Sequence, residues 1–172
     1  TYDKSMEYLK SHKGFGGDKK LQWKKNSLDR FSCAVNRVKN FKKATGGKKT
    51  TPVEYAFKSL TSVNQRHYTV WSIVHDIKNL EIHFRTVREK DIKVLRLKDF
   101  DFDCDTPVKV LDMNSRVKGN VKDKFVDYDA NRHKERIFKV FKVYKSNNFM
   151  TKMPDALLEI LAGYPASLPC KK

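Results

Sequence analysis

Between Tyr68 and Thr86 the segment YTVWSIVHDIKNLEIHFRT carries the clearest alternation of apolar and polar positions in the chain. Leu80, Ile82 and Phe84 fall on one parity, and Glu81, His83 and Arg85 on the other. That is the period-two pattern of a strand with one buried face. The segment before it is apolar on both parities, with Val70 and Val74 against Trp71 and Ile73, which predicts a central strand covered on both faces. Asp76-Ile77-Lys78-Asn79 predicts the hairpin turn between them, because Asp and Asn side chains hydrogen-bond nearby backbone and tolerate unusual φ.

Elsewhere the period lengthens to that of a helix. Residues 2–10 predict a short one. From Ser27 to Phe41 the apolar positions Leu28, Phe31, Val35, Val38 and Phe41 recur every three or four residues, one face of a helix capped by Asn26 or Ser27. ATGGKKT at 44–50 breaks the pattern, and Thr51-Pro52-Val53-Glu54 restarts it. Thr at the cap, Pro at the first helical position and Glu three residues after the Thr make a capping box. Val53, Ala56, Leu60 and Val63 are the expected buried side of that helix. Ile92–Leu97 predicts a third strand and Pro107–Met113 a further short one. Asp123 to Tyr144 is partly helical, with Ile137, Val140, Phe141 and Tyr144 spaced for one face. A last helix in MPDALLEILAGYPASLPCKK is predicted to be capped by Gly163 and stopped by Pro165. Helices and strands in separate blocks predict an α+β fold with an antiparallel sheet.

Composition adds bounds. At 172 residues the chain is long enough for a single domain with a modest core. No apolar run approaches the roughly 18–20 residues of a membrane span, and the segment opening on Thr1 has no basic and apolar stretch of a signal peptide. Lys and Arg number 37 against 20 Asp and Glu, a net charge of +17. Such an excess suits a nucleic-acid or anionic-surface partner. Here the lysines are spread along the whole chain, with no RNA-binding, zinc-finger or helix-turn-helix pattern, so solvated lysine-rich surfaces and no specific nucleic acid are the expectation.

The candidate motifs are mostly negative. Cys33, Cys104 and Cys170 are odd in number and widely spaced, predicting reduced thiols without a disulfide framework or zinc site. The glycines of HKGFGGDKK lack the Lys-Ser/Thr step of a phosphate loop. Counted from Asp99, the acidic run DFDFDCD places Cys104 and Val110 where a calcium loop needs Gly and Glu. His75 and His83 have no ligand partners at sensible spacing and read as ordinary strand histidines. No cofactor is called for. Arg30 falls in a first helical turn, where the helix dipole disfavours a cation.

Four stretches in collinear order, TYDKSMEYL, SLDRF, YTVWSIVHDIKNLEIHFRT and the run through DKFVDY, resemble segments of the choloylglycine hydrolase family. These linear amide C–N hydrolases include bile salt hydrolases and penicillin V acylases. SLDRF matches the family's S-x-x-R-F segment, and the similarity covers residues 1–130, leaving 131–172 as a helical C-terminal extension of one incomplete domain. The resemblance implies the C-terminal part of an N-terminal nucleophile fold, an αββα sandwich with antiparallel sheets. Its nucleophile is a cysteine exposed as the first residue, whose α-amino group serves as general base, with donors set for the oxyanion.

Thr1 matches an internal position of that family, so the resemblance puts the cysteine, its first Arg and Asp partners and the oxyanion asparagines in a missing N-terminal part of the same protein. Thr1 as an alternative threonine nucleophile is disfavoured by those internal surroundings. The residue carried over to the catalytic set is Arg30, with an electrostatic role. Arg85 also matches a recurrent family residue, but Glu81 and His83 share its face and an ordinary ion pair would account for it. The expected partner is a small-molecule amide substrate, with a homo-oligomer left open. Localisation is left open too: periplasmic or secreted if a signal peptide lies upstream, otherwise cytoplasmic.

Overall fold

A computed structural model describes residues 2–11, 27–46, 50–65, 68–145 and 154–167. The chain divides into two compact units, one of Thr1–Asp99 with Met113–Lys122 and the other of Phe100–Asp112 with Asp123–Lys172. The mixture of helix with mainly antiparallel strands is α+β.

The first unit opens with helices α1 (Tyr2–Ser11), α2 (Ser27–Lys39), α3 (Phe41–Thr45) and α4 (Pro52–Val63). The helix expected over 27–41 breaks at Asn40, and a second short helix then carries the chain through Thr45, further than the glycine pair suggested. The capping box of α4 is present in both halves. The Thr51 hydroxyl accepts from Glu54 N at 3.2 Å, and Thr51 N donates to Glu54 Oε2 at 2.9 Å. The most buried residues of α4 are Tyr55 and Phe57, while the expected Val53, Ala56, Leu60 and Val63 are half-buried. The reason is that α4 packs against several neighbours. Tyr55 donates to the Arg37 carbonyl of α2 at 2.7 Å and meets Phe41 of α3 edge-on, with ring centroids 5.7 Å apart.

Strands β1 (Trp71–Asp76), β2 (Glu81–Thr86), β3 (Lys93–Arg96) and β5 (Gly119–Asn120) form one sheet in the order β1-β2-β3-β5. The hairpin is present, with Trp71 opposite Thr86 and Asp76 opposite Glu81. Two expectations about it are corrected. The apolar first strand is the edge, with Trp71 59% exposed, and the alternating strand β2 is central. Leu80 also belongs to the turn, at φ 55°, a left-handed conformation costing an L-residue roughly 1–2 kcal/mol. Asp76 holds that turn, its carboxylate accepting from Asn79 N and Nδ2. α4 packs on the sheet at β1, and β2 carries buried residues on both parities. His83 on the nominally polar parity and Phe84 on the apolar one are both buried.

β3 pairs antiparallel with β2, but its short pairing with β5 is parallel, a departure from the wholly antiparallel sheet expected. Gly119 allows it by taking φ +78° with no atom within 4 Å of a would-be Cβ. Conformation rather than space therefore selects glycine there.

In the second unit β4 (Lys109–Val110) pairs antiparallel with β6 (Val126–Asp127), reinforced by an ion pair between Lys109 and Asp127. Helix α5 (Ala130–Lys145) packs on α6 (Asp155–Ser167), and Lys134 Nζ lies 2.6 Å from Glu159 Oε2. Val140, expected on the apolar face, is half-exposed. α6 does not stop at Gly163 or Pro165. It runs to Ser167, and Gly163 does not adopt the left-handed cap. A proline there removes one amide donor to the preceding turn, and the helix ends two residues later with the Ser167 hydroxyl bonded to the Tyr164 carbonyl at 2.8 Å. Among the described residues no helix is long and apolar enough to cross a membrane.

Lys93 is 0% exposed, and its Nζ has no hydrogen-bond partner among the described residues, sitting 5.9 Å from the Phe84 ring centroid. A buried polar group left without a hydrogen-bond partner costs about 1–3 kcal/mol, and an apolar side chain of similar length removes that cost. Lys93→Met is therefore expected to raise the urea midpoint of the chain. Thr51→Ala is expected to lower stability by about 1 kcal/mol through loss of the cap, measured in the same titration.

Candidate functional site

Arg30 is the fourth residue of α2 and is half-buried. With the Gln65 amide oxygen oriented toward it, the guanidinium donates to that oxygen through Nη1 at 2.9 Å and Nη2 at 2.8 Å. Gln65 lies two residues beyond the last residue of α4. The C-terminal carbonyls of a helix carry partial negative charge that favours a nearby cation. The side chain of Arg30 thus starts at an unfavourable helix N-terminus and ends at a favourable C-terminus. Its neighbour Asp29 accepts a hydrogen bond from the Tyr8 hydroxyl, tying α1 to α2 beside it.

Arg85 does not make the ion pair expected on its strand face. Glu81 is taken by Arg96, whose Nε donates to its Oε1 at 3.0 Å. Arg85 turns to α4 instead. Its Nη2 donates to Thr61 Oγ1 at 2.6 Å, and its guanidinium carbon lies 5.0 Å from the Phe57 ring centroid. Among the described residues it makes no ion pair with a carboxylate. One turn of α4 and the residues just after it therefore hold both arginines: Thr61 takes Arg85 and, four residues on, Gln65 takes Arg30. Sequence reasoning missed both anchors, since it followed only the apolar stripe of α4. No spacing in the sequence marked either anchor, because each contact joins elements distant along the chain.

The other candidates are placed as follows. Cys33 is a free thiol, 0% exposed, with Sγ 3.2 Å from the Ser62 hydroxyl of α4. Cys104 is disulfide-bonded, which corrects the expectation of three reduced thiols. An odd count leaves one cysteine over, and linear spacing does not report which residues the fold brings together. In the acidic run, Asp101 is occupied locally. The Thr106 hydroxyl and then the Asp103 amide hold its carboxyl below the usual carboxylate range. Among the described residues no group of His, Cys, Asp and Glu is placed to hold a metal ion. Thr1 and the glycine loop lie outside the described residues.

No family model matches the sequence, and comparison with curated proteins and with solved structures gives no match.

The hairpin turn gives this region a pH signature. The Asn79 side chain, then its backbone amide, hold Asp76 below the ordinary value of 3.8. A depressed carboxylate contributes stability that is fully present above the ordinary value and is lost as pH falls through the lowered one. In an acid titration followed by NMR, the Asn79 side-chain amide signals should move with a midpoint below pH 3.8. A midpoint at or above 3.8 would contradict the assignment.

Proposed function

We propose that this chain is the C-terminal part of a linear amide C–N hydrolase of the N-terminal nucleophile type, with Arg30 in its catalytic set. The observation that carries the reading is the motif SLDRF. It opens a helix, and its arginine is half-buried with both terminal nitrogens directed to one amide oxygen. A guanidinium held in that way is a fixed positive charge, suited to stabilising a thiolate and the charge that develops as it attacks an amide carbon. The antiparallel hairpin at 71–86, following the helices in the family's order, agrees with the αββα arrangement.

On this reading the nucleophilic cysteine, its α-amino base and the oxyanion donors are supplied by residues preceding Thr1. The buried Cys33 takes no part, because its thiol cannot meet a substrate. A second reading, a basic module for nucleic acid or another anionic surface, draws on the net charge of +17. It predicts a steep loss of affinity with salt.

The purified 172-residue chain is expected to leave conjugated bile salts, penicillin V and N-acyl homoserine lactones uncleaved. Turnover abolished by substituting Thr1 would overturn that. In the longer protein, Arg30→Ala is expected to lower kcat/KM by about 100-fold or more with a preserved circular dichroism spectrum. An unchanged rate would remove Arg30 from the site.

A further inference from the structure

Beside the turn of α4 that anchors Arg85, the first unit has a second feature that the hydrolase reading does not use. A cleft of about 670 Å³ opens between α2, α4 and the sheet. That is within the range of roughly 300–1,000 Å³ typical of sites for small ligands. Its cations are Arg37 from α2, Lys58 from α4 and Arg85 from β2, and its carboxylate is Glu54. Glu54 is already engaged, since its Oε2 accepts from Thr51 N in the cap of α4. None of the three cations makes an ion pair with a carboxylate among the described residues. The Nε of Arg37 is buried and has no hydrogen-bond partner among the described residues.

Each part of this arrangement has a local cause. Arg85 is fixed by Thr61 and by the Phe57 ring beneath it, so its remaining N–H groups are set in direction before any ligand arrives. Tyr55 pins α2 to α4 through the Arg37 carbonyl, which brings Arg37 to the same opening. Lys58 is exposed on α4 at the rim. Guanidinium groups in fixed positions favour carboxylate and phosphate oxygens, which they bind through paired N–H bonds. Three cations against one carboxylate leave a local excess of two positive charges. Ile92 adds an apolar wall, and the volume exceeds what a bare oxyanion fills.

We propose that this cleft binds a small organic dianion, a phosphomonoester or a dicarboxylate, with its charged oxygens on Arg37, Lys58 and Arg85 and its organic body toward Ile92. The site does not depend on amide hydrolysis and stands whether or not Arg30 is catalytic.

The test is a titration of the full 172-residue chain followed by ¹H–¹⁵N NMR at fixed ionic strength. The probes are phenyl phosphate, isophthalate, inorganic phosphate, the monoanion benzoate and a short DNA duplex. Saturable shifts centred on residues 57–62 and 85 are expected with one or both organic dianions, and the stronger of the two identifies the oxygen chemistry. Inorganic phosphate and benzoate should bind at least several-fold more weakly. Lys58→Gln, an exposed change on α4 that leaves the fold intact, should weaken the dianion at least threefold. Arg85→Gln should weaken it about tenfold, and Lys39→Gln, on the exposed end of α2 away from the cleft, should change it less than twofold. Arg85→Lys, which keeps the charge and loses the fork, should fall between wild type and Arg85→Gln. Non-saturating shifts spread over the lysine-rich surface would overturn the proposal. So would equal weakening by Lys39→Gln and Lys58→Gln, or DNA shifting the cleft residues more tightly than either dianion.

Discussion

The first unit depends on helix α4. Its start is fixed by the capping box of Thr51 and Glu54, and its body is gripped by α2, α3 and the sheet. Tyr55 reaches the α2 backbone and the Phe41 ring, Phe57 lies under the Arg85 guanidinium, and Ser62 meets the Cys33 thiol. Burying those two aromatic side chains contributes about 1.5–3 kcal/mol each in transfer free energy. That contribution has to offset the ordering of three helices joined by polar segments. A helix held from several sides is also rigid, and rigidity at its last turn is what gives the neighbouring polar groups fixed directions.

That last turn concentrates the chemistry. Thr61 and Gln65, four residues apart, each accept from a different arginine, one from the strand β2 and one from the helix α2. Neutral oxygens at the negative end of a helix can orient a guanidinium without neutralising it. At Arg85, a carboxylate in place of Thr61 would have closed an ion pair and left a structural bridge. Glu81, the acid available on β2, is instead engaged by Arg96, so Arg85 keeps its full charge facing the cleft. The functional readings of Arg30 and of the cleft rest on this same physical arrangement, but on different arginines.

Much of the scaffold was legible in the chain. The capping box announced α4, since Thr, Pro and Glu at those spacings satisfy the helix's own amide donors and need nothing from elsewhere. The hairpin was legible for the same local reason, its turn being closed by Asp76 and Asn79. What failed was whatever depended on neighbours distant in sequence. Apolarity on both parities suggested that β1 was central, yet the order of strands puts it at the edge and gives the covered position to β2. The polar parity of β2 suggested a solvated face, yet His83 is buried there. The disulfide at Cys104, the parallel pairing allowed by Gly119, and the anchors Thr61 and Gln65 all arise from tertiary proximity, which neither period nor spacing encodes. Arg30 was singled out by a broken local rule and a motif, but the oxygen that orients it had no signature of its own.

The end of α4 holds the Arg85 guanidinium through the Thr61 hydroxyl and sets the Gln65 amide against Arg30, and the arginine side chains can report both contacts directly. In ¹⁵N-edited spectra recorded at low temperature, slowed rotation gives Arg30 and Arg85 separate Nη signals, distinct from those of solvated arginines. Gln65→Ala should shift the Arg30 signals and leave those of Arg85 in place, while Thr61→Ala should shift those of Arg85 and leave those of Arg30. Wild-type signals for both arginines that match freely rotating side chains would contradict the account.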